Sequence, residues 1–126
     1  MKPAFIILAI LQKKCSLQTT GFFLRGDMNG WGYDEMFYDS ANKIFFVEKE
    51  LSATTYQFKF DNYADWTKSY GSGEENPNGK TISLGVKEQT STTTGKNTNF
   101  ALTLQSAGTY KFTFYLEDGT FDVTKK

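Results

Sequence analysis

From residue 21 onward the apolar side chains come in short runs of period two, broken by clusters of Gly, Asn, Asp and Ser. No stretch there has the pattern of a long helix, so the chain reads as a β-protein. Tyr56, Phe58 and Phe60 share one parity and Gln57 and Lys59 the other. Successive side chains of a strand point to opposite faces, so an inward aromatic face puts Gln57 and Lys59 outside. The run Ile44 to Leu51 places Phe45, Val47 and Leu51 on one face and turns to charge on the other at Glu48 and Glu50. Phe100, Leu102 and Leu104 alternate again. The most regular alternation is Tyr110, Phe112, Phe114 and Leu116 against Lys111, Thr113 and Tyr115. Asp118-Gly119, a pair favoured in type I′ turns, predicts a tight hairpin returning through Phe121 and Val123. Residues 81–86 supply one more strand after a turn-rich loop over 71–80, and residues 87–99 form a polar, Thr-rich connection.

Seven or eight short antiparallel strands in about a hundred residues predict an all-β, immunoglobulin-like β-sandwich, with a small barrel as the competing fold. A length of 126 residues suits one such domain. The expected boundaries are a leader over residues 1–20 and a single module over 21–126.

Lys2 followed by the apolar run from Ala4 to Leu11 has the form of a secretory signal peptide and is too short to span a membrane. Cys15-Ser16 resembles the lipidation site of a bacterial lipoprotein, although Gln12-Lys13-Lys14 stands where small residues would precede the Cys. A strand or short helix packed on the domain is the other reading of this segment. The first reading implies an extracellular, periplasmic or cell-surface protein whose membrane attachment would be a lipid anchor on Cys15.

The chain carries 14 basic and 14 acidic side chains, so no broad field draws it to nucleic acid or anionic lipid. It has no His, which removes the commonest general base and the commonest metal ligand. The acidic pairs Asp34-Glu35, Glu74-Glu75 and Glu117-Asp118 are adjacent in loops or turns, where carboxylates are solvated. No catalytic residues are assigned, and the chain is read as a non-enzyme. Asp61, Asn62 and Asp65 have the oxygen chemistry of a calcium site, but they are also ordinary turn formers, so neither a metal nor a cofactor is expected. A turn role likewise suffices for Arg25-Gly26-Asp27, a tripeptide also known from cell-adhesion ligands.

Twelve Phe, seven Tyr and two Trp are more rings than a small core needs, so some should lie on the surface. Trp31 and Trp66 each follow a strand through a short polar turn, where an indole can either meet a ligand or plug the end of the sandwich. The residues alone leave both readings open.

Four stretches, in order, resemble the starch- and glycogen-binding modules of amylolytic enzymes and of the beta subunit of AMP-activated protein kinase. They are Arg25-Gly26-Asp27-Met28-Asn29-Gly30-Trp31, Tyr56-Gln57-Phe58-Lys59-Phe60, Asp65-Trp66-Thr67 and Gly95-Lys96-Asn97-Thr98-Asn99-Phe100. The closing hairpin, entered through Ala107-Gly108-Thr109-Tyr110, is similar to the ending of related modules in bacterial pullulanases and starch-binding surface proteins. The resemblance implies non-catalytic binding of α-glucan (starch, glycogen or maltooligosaccharide). Trp31 and Trp66 would form the stacking platform, Lys59 would hydrogen-bond sugar hydroxyls, and Asn97 or Asn99 would add a second polar contact. Tyr70 is either a third ring or packing. The stretch from Trp66 to Asn97 is longer than in the kinase-type modules. A glycan-degrading bacterium and a separate glycoside hydrolase partner are implied with it. The rival is a structural immunoglobulin-like domain that packs against another domain or protein with both indoles buried.

Overall fold

The computed structural model describes residues 20–62, 66, 68–93 and 97–126. The leader expected over residues 1–20 lies outside these apart from Thr20, as do Cys15, Asp65, Thr67, Gly95 and Lys96. The strands are β1 (Phe22–Gly26), β2 (Asp34–Glu35), β3 (Phe37–Asp39), β4 (Ile44–Leu51), β5 (Thr55–Asn62), β6 (Lys68–Tyr70), β7 (Lys80–Ile82), β8 (Glu88–Gln89), β9 (Phe100–Thr103), β10 (Gly108–Tyr115) and β11 (Thr120–Lys125). A 3-10 turn, Asp27–Asn29, follows β1.

They form a two-sheet β-sandwich. One sheet has the order β2-β1-β5-β9-β7, with β6 also paired to β5; the other has the order β3-β4-β10-β11-β8. The alternation read from the sequence sets which face is which. Phe58 and Phe60 of β5 are fully buried, and so are Phe112 of β10 and Phe121 and Val123 of β11. Rings from the two sheets meet edge to face, with Phe58 5.3 Å from Phe112 and Phe60 5.0 Å from Phe121. That geometry suits the aromatic quadrupole and adds to the area buried.

Several local expectations change. The closing hairpin has a four-residue loop over 116–119, and of its residues only Gly119 has positive φ, at 69°. A type I′ turn needs positive φ at both central residues, and here one glycine serves the wider loop. Asp118 instead accepts hydrogen bonds from the Thr120 amide and hydroxyl. Leu116 therefore leaves the strand and is exposed.

The strand expected over 81–86 ends at Ile82; the backbone turns at Gly85 (φ 76°) and leaves Leu84 and Val86 exposed. The polar connection holds β8, which pairs with β11 of the opposite sheet. The chain thus leaves the first sheet after β7 and re-enters it as β9 running the same way, which makes β7–β9 the parallel pair in a sandwich whose other strand pairs are antiparallel.

Phe121 of β11 touches the rings of Phe58 and Phe60 of β5 and of Phe100 of β9, so it ties one sheet to two strands of the other. Phe121→Ala should lower unfolding free energy by about 3–5 kcal/mol, read from urea denaturation. A loss below about 1 kcal/mol would mean the core does not pack this way.

Candidate functional site

Outward-pointing residues of β1 and β5 form the floor of the site. Arg25 lies opposite Lys59 and Phe23 opposite Asp61, so Arg25 and Asp61 are diagonal neighbours on the outer face. Both are buried, Arg25 at 8% exposure and Asp61 at 0%, because the loops that follow the strands fold over them. Arg25 Nη1 donates to Asp61 Oδ2 at 3.0 Å, Nε to the Gly32 carbonyl at 2.8 Å and Nη2 to the Trp31 carbonyl at 3.1 Å. Its guanidinium carbon lies 3.7 Å from the centre of the Trp66 ring. Asp61 Oδ2 also accepts the Trp66 amide at 3.1 Å. One buried ion pair therefore fixes the backbone of both tryptophans. Asp61 Oδ1 has no hydrogen-bond partner among the described residues.

The first loop explains its own sequence. A side chain on Gly26 would come within 2.5 Å of the Gln57 carbonyl, so only glycine lets β1 approach β5 there. Asp27 Oδ1 accepts the Trp31 indole N–H at 3.0 Å, and its Oδ2 accepts the Gln57 amide at 2.7 Å. Asn29 accepts from the Gly26 amide and donates to the Leu24 carbonyl and to Asp34. Trp31 and Trp66 both hold left-handed backbone, φ 63° and 66°, a conformation that costs a bulky residue about 1–3 kcal/mol. The ion pair and Asp27 offset that strain, which concentrates where two rings are displayed.

The two indole rings lie 6.2 Å apart and are tilted by 40°. Trp66 is 39% exposed and Trp31 half-buried, so neither plugs the core. They border an open depression of 620 Å³ that is also lined by Asp27, Gln57, Lys59, Pro77, Asn97 and Asn99. Lys59 Nζ is 5.2 Å from the Trp66 ring centre and 3.4 Å from Thr98 Oγ1. Partial burial lowers its pKa, with the Asp61 charge acting in the opposite direction. Gln57 bridges two loops, donating to the Pro77 carbonyl and accepting from Asn99 Nδ2, both at 3.1 Å. Asn97 has φ 60° and is exposed; its carbonyl accepts the Asn76 amide.

Trp31, Lys59, Trp66, Asn97 and Asn99 thus converge, and both asparagines reach the depression. Tyr70 does not join them. It pairs with Phe60, so it shares Phe60's inward face, and its ring lies 5.4 Å from both Phe22 and Phe114. Asp27, Gln57 and Pro77 complete the lining, with Arg25 and Asp61 beneath. Parity had placed Gln57 outside, but a role for Arg25 or Asp61 depended on loops closing over them.

The acidic pairs lie elsewhere: Asp34 pairs with Lys49 and Glu117 with Lys43, while Glu74 and Glu75 are exposed. Among the described residues no group of three His, Cys, Asp or Glu side chains could hold a metal ion.

Arg25→Ala leaves Asp61 buried without its counter-ion and should cost about 3–5 kcal/mol of stability, measured by chemical denaturation. A change under about 1 kcal/mol would show that the pair does not hold the loops.

Searches against protein-family models and against curated proteins return no match. Solved structures do match. SusF from Bacteroides thetaiotaomicron aligns with TM-score 0.58 and 25% identity over 82% of this chain, and the chain spans 23% of that protein. The AmyP-SBD, a starch-binding domain solved in a ligand-induced form, aligns with TM-score 0.53 and 15% identity over 82% of this chain and 70% of its own. The chain has the β-sandwich fold of starch-binding modules.

Proposed function

We propose that the depression between Trp31 and Trp66 binds α-glucan chains without catalysis. The observation that carries this is the pair of mutually tilted indoles, Trp66 exposed and Trp31 half-buried, 6.2 Å apart at 40° and fixed by a buried ion pair. Indole faces stack on the C–H faces of sugar rings, and a bent platform suits a curved α-1,4-linked chain better than a flat β-1,4-linked one. Lys59 donates to hydroxyls, while Asn97 and Asn99 offer amide donors and acceptors at the rim. The likeness to starch-binding structures supports the same ligand class.

Among the described residues, Asp27 is the acidic residue that lines the depression, and it uses one oxygen for the Trp31 indole and the other for the Gln57 amide. A glycosidase needs a second carboxylate across the scissile bond. The site accordingly holds polymer for a separate glycoside hydrolase. Export through the leader over residues 1–20 belongs to this reading. Exposure of Trp66 counts against the rival in which both indoles are buried in a domain interface.

Affinity electrophoresis of the full chain should show retardation in gels containing amylopectin or glycogen and none with cellulose. Trp31→Ala and Trp66→Ala, checked for folding by circular dichroism, should each weaken retention about tenfold or more. Folded variants retained as well as the parent would remove the indoles from the site.

The lowered pKa of Lys59 increases its neutral, nucleophilic fraction near pH 8 relative to solvent-exposed lysines. Acylation by a succinimidyl ester, followed by mass spectrometry, should therefore modify Lys59 ahead of exposed Lys68, and maltoheptaose should protect Lys59 alone. Equal protection of both lysines would place the ligand elsewhere.

A further inference from the structure

Gln57 stands where three sides of the depression meet. Its backbone amide donates to Asp27 Oδ2 at 2.7 Å, and Asp27 Oδ1 holds the Trp31 indole. Its side chain leaves β5 on the outer face, in a row with Ala101 and then Thr81. The small Ala101 leaves room above the strands, and a turn fills it. The Gly79 amide donates to the Asn76 carbonyl at 2.9 Å, closing a turn over residues 76–79, and a Cβ on Gly79 would stand 3.0 Å from that of Ala101. The turn therefore lies against the outer face, with Pro77 at the rim of the depression. Backbone bonds tie it to the segment that enters β9: the Asn76 amide donates to the Asn97 carbonyl at 3.0 Å and the Lys80 amide to the Asn99 carbonyl at 2.9 Å.

Hydrogen-bond polarity then runs one way across the site. The Pro77 carbonyl can only accept, so the Gln57 atom 3.1 Å from it must be the nitrogen. The other end of that amide, Oε1, can likewise only accept, so the Asn99 atom 3.1 Å from it must be Nδ2. One backbone carbonyl thus orients two side-chain amides in series. Asn99 is left with Oδ1, which takes no hydrogen bond from any described residue. Continuing the pairing of Phe58 with Phe100 by one residue sets Asn99 opposite Lys59, so an acceptor and a donor stand side by side on the floor.

We propose that Gln57 is a positioning residue for the α-glucan site: by holding Asn99 Nδ2 it turns Oδ1 toward the ligand, and Asn99 meets a sugar hydroxyl as an acceptor. An amide without this hold would present either end, and ordering it on binding would cost affinity. The role rests on the function proposed above.

The test is a double-substitution cycle on the full chain, read by isothermal titration with maltoheptaose and by ¹H–¹⁵N spectra of the free protein. Gln57→Met should move the Asn99 side-chain amide resonances before any ligand is added. It should weaken maltoheptaose binding about fivefold in the parent, and less than about twofold when Asn99→Ala is already present. Gln57→Glu, which still accepts from Asn99 but cannot donate to Pro77, should keep most of the affinity. Losses that add in the double variant would mean that Gln57 touches the sugar itself, and would overturn the proposal. Equal losses in the Met and Glu variants would assign the effect to the Pro77 contact and overturn the part given to Asn99. Asn99 resonances unmoved by Gln57→Met would show that the bond between the two amides is not formed. Each of these results leaves the α-glucan function standing, whereas a parent chain that does not bind maltoheptaose overturns that function and this role with it.

Discussion

The Arg25–Asp61 ion pair is the contact on which the site depends. Taking both charges out of water is expensive, and a buried pair is stabilising only when its remaining hydrogen-bonding positions are also used. Arg25 meets that condition with three nitrogens bonded and its plane against Trp66, while Asp61 spends one oxygen on two donors. The pair ties loops that leave different strands, so the two indoles keep a fixed relation that neither loop imposes alone. Its guanidinium also lies against the Trp66 ring, 3.7 Å from the centre.

Rigidity of this kind matters for the binding proposed here. A platform whose rings are already placed gives up little conformational freedom when a flexible polymer arrives, and that loss is a principal cost of association. The cost has been met in advance by the strained backbone at Trp31 and Trp66, held by Asp61, Asp27 and Gly26. Among those residues Asp27 lines the depression with both carboxylate oxygens already bonded.

The aromatic core serves both outer faces. Phe58 and Phe60 anchor β5 inward, so Gln57, Lys59 and Asp61 must stand outside; Phe112 and Phe114 anchor β10, so Lys111, Thr113 and Tyr115 must do the same. Period-two alternation thus positions the polar groups of each face as a by-product of packing the interior. The face of the indoles then gains its depression from covering loops.

What the sequence determined by itself follows from that local rule. The β class, the inward face of each long strand, the outward placement of Lys59 and the turn at Asn29-Gly30 all come from periodicity and turn chemistry, which neighbouring residues specify. The resemblance added Trp31, Trp66, Asn97 and Asn99, and the structure gathers them around one depression. Tertiary structure decided the rest. Tyr70 faces inward because its strand pairs Tyr70 with Phe60, a register no local pattern reveals. β8 forms from a polar stretch because β11 offers an edge, and Arg25 and Asp61 become partners only when strands 36 positions apart in the chain lie side by side. Alternation specifies which way a side chain points, but only pairing between distant strands specifies what it meets.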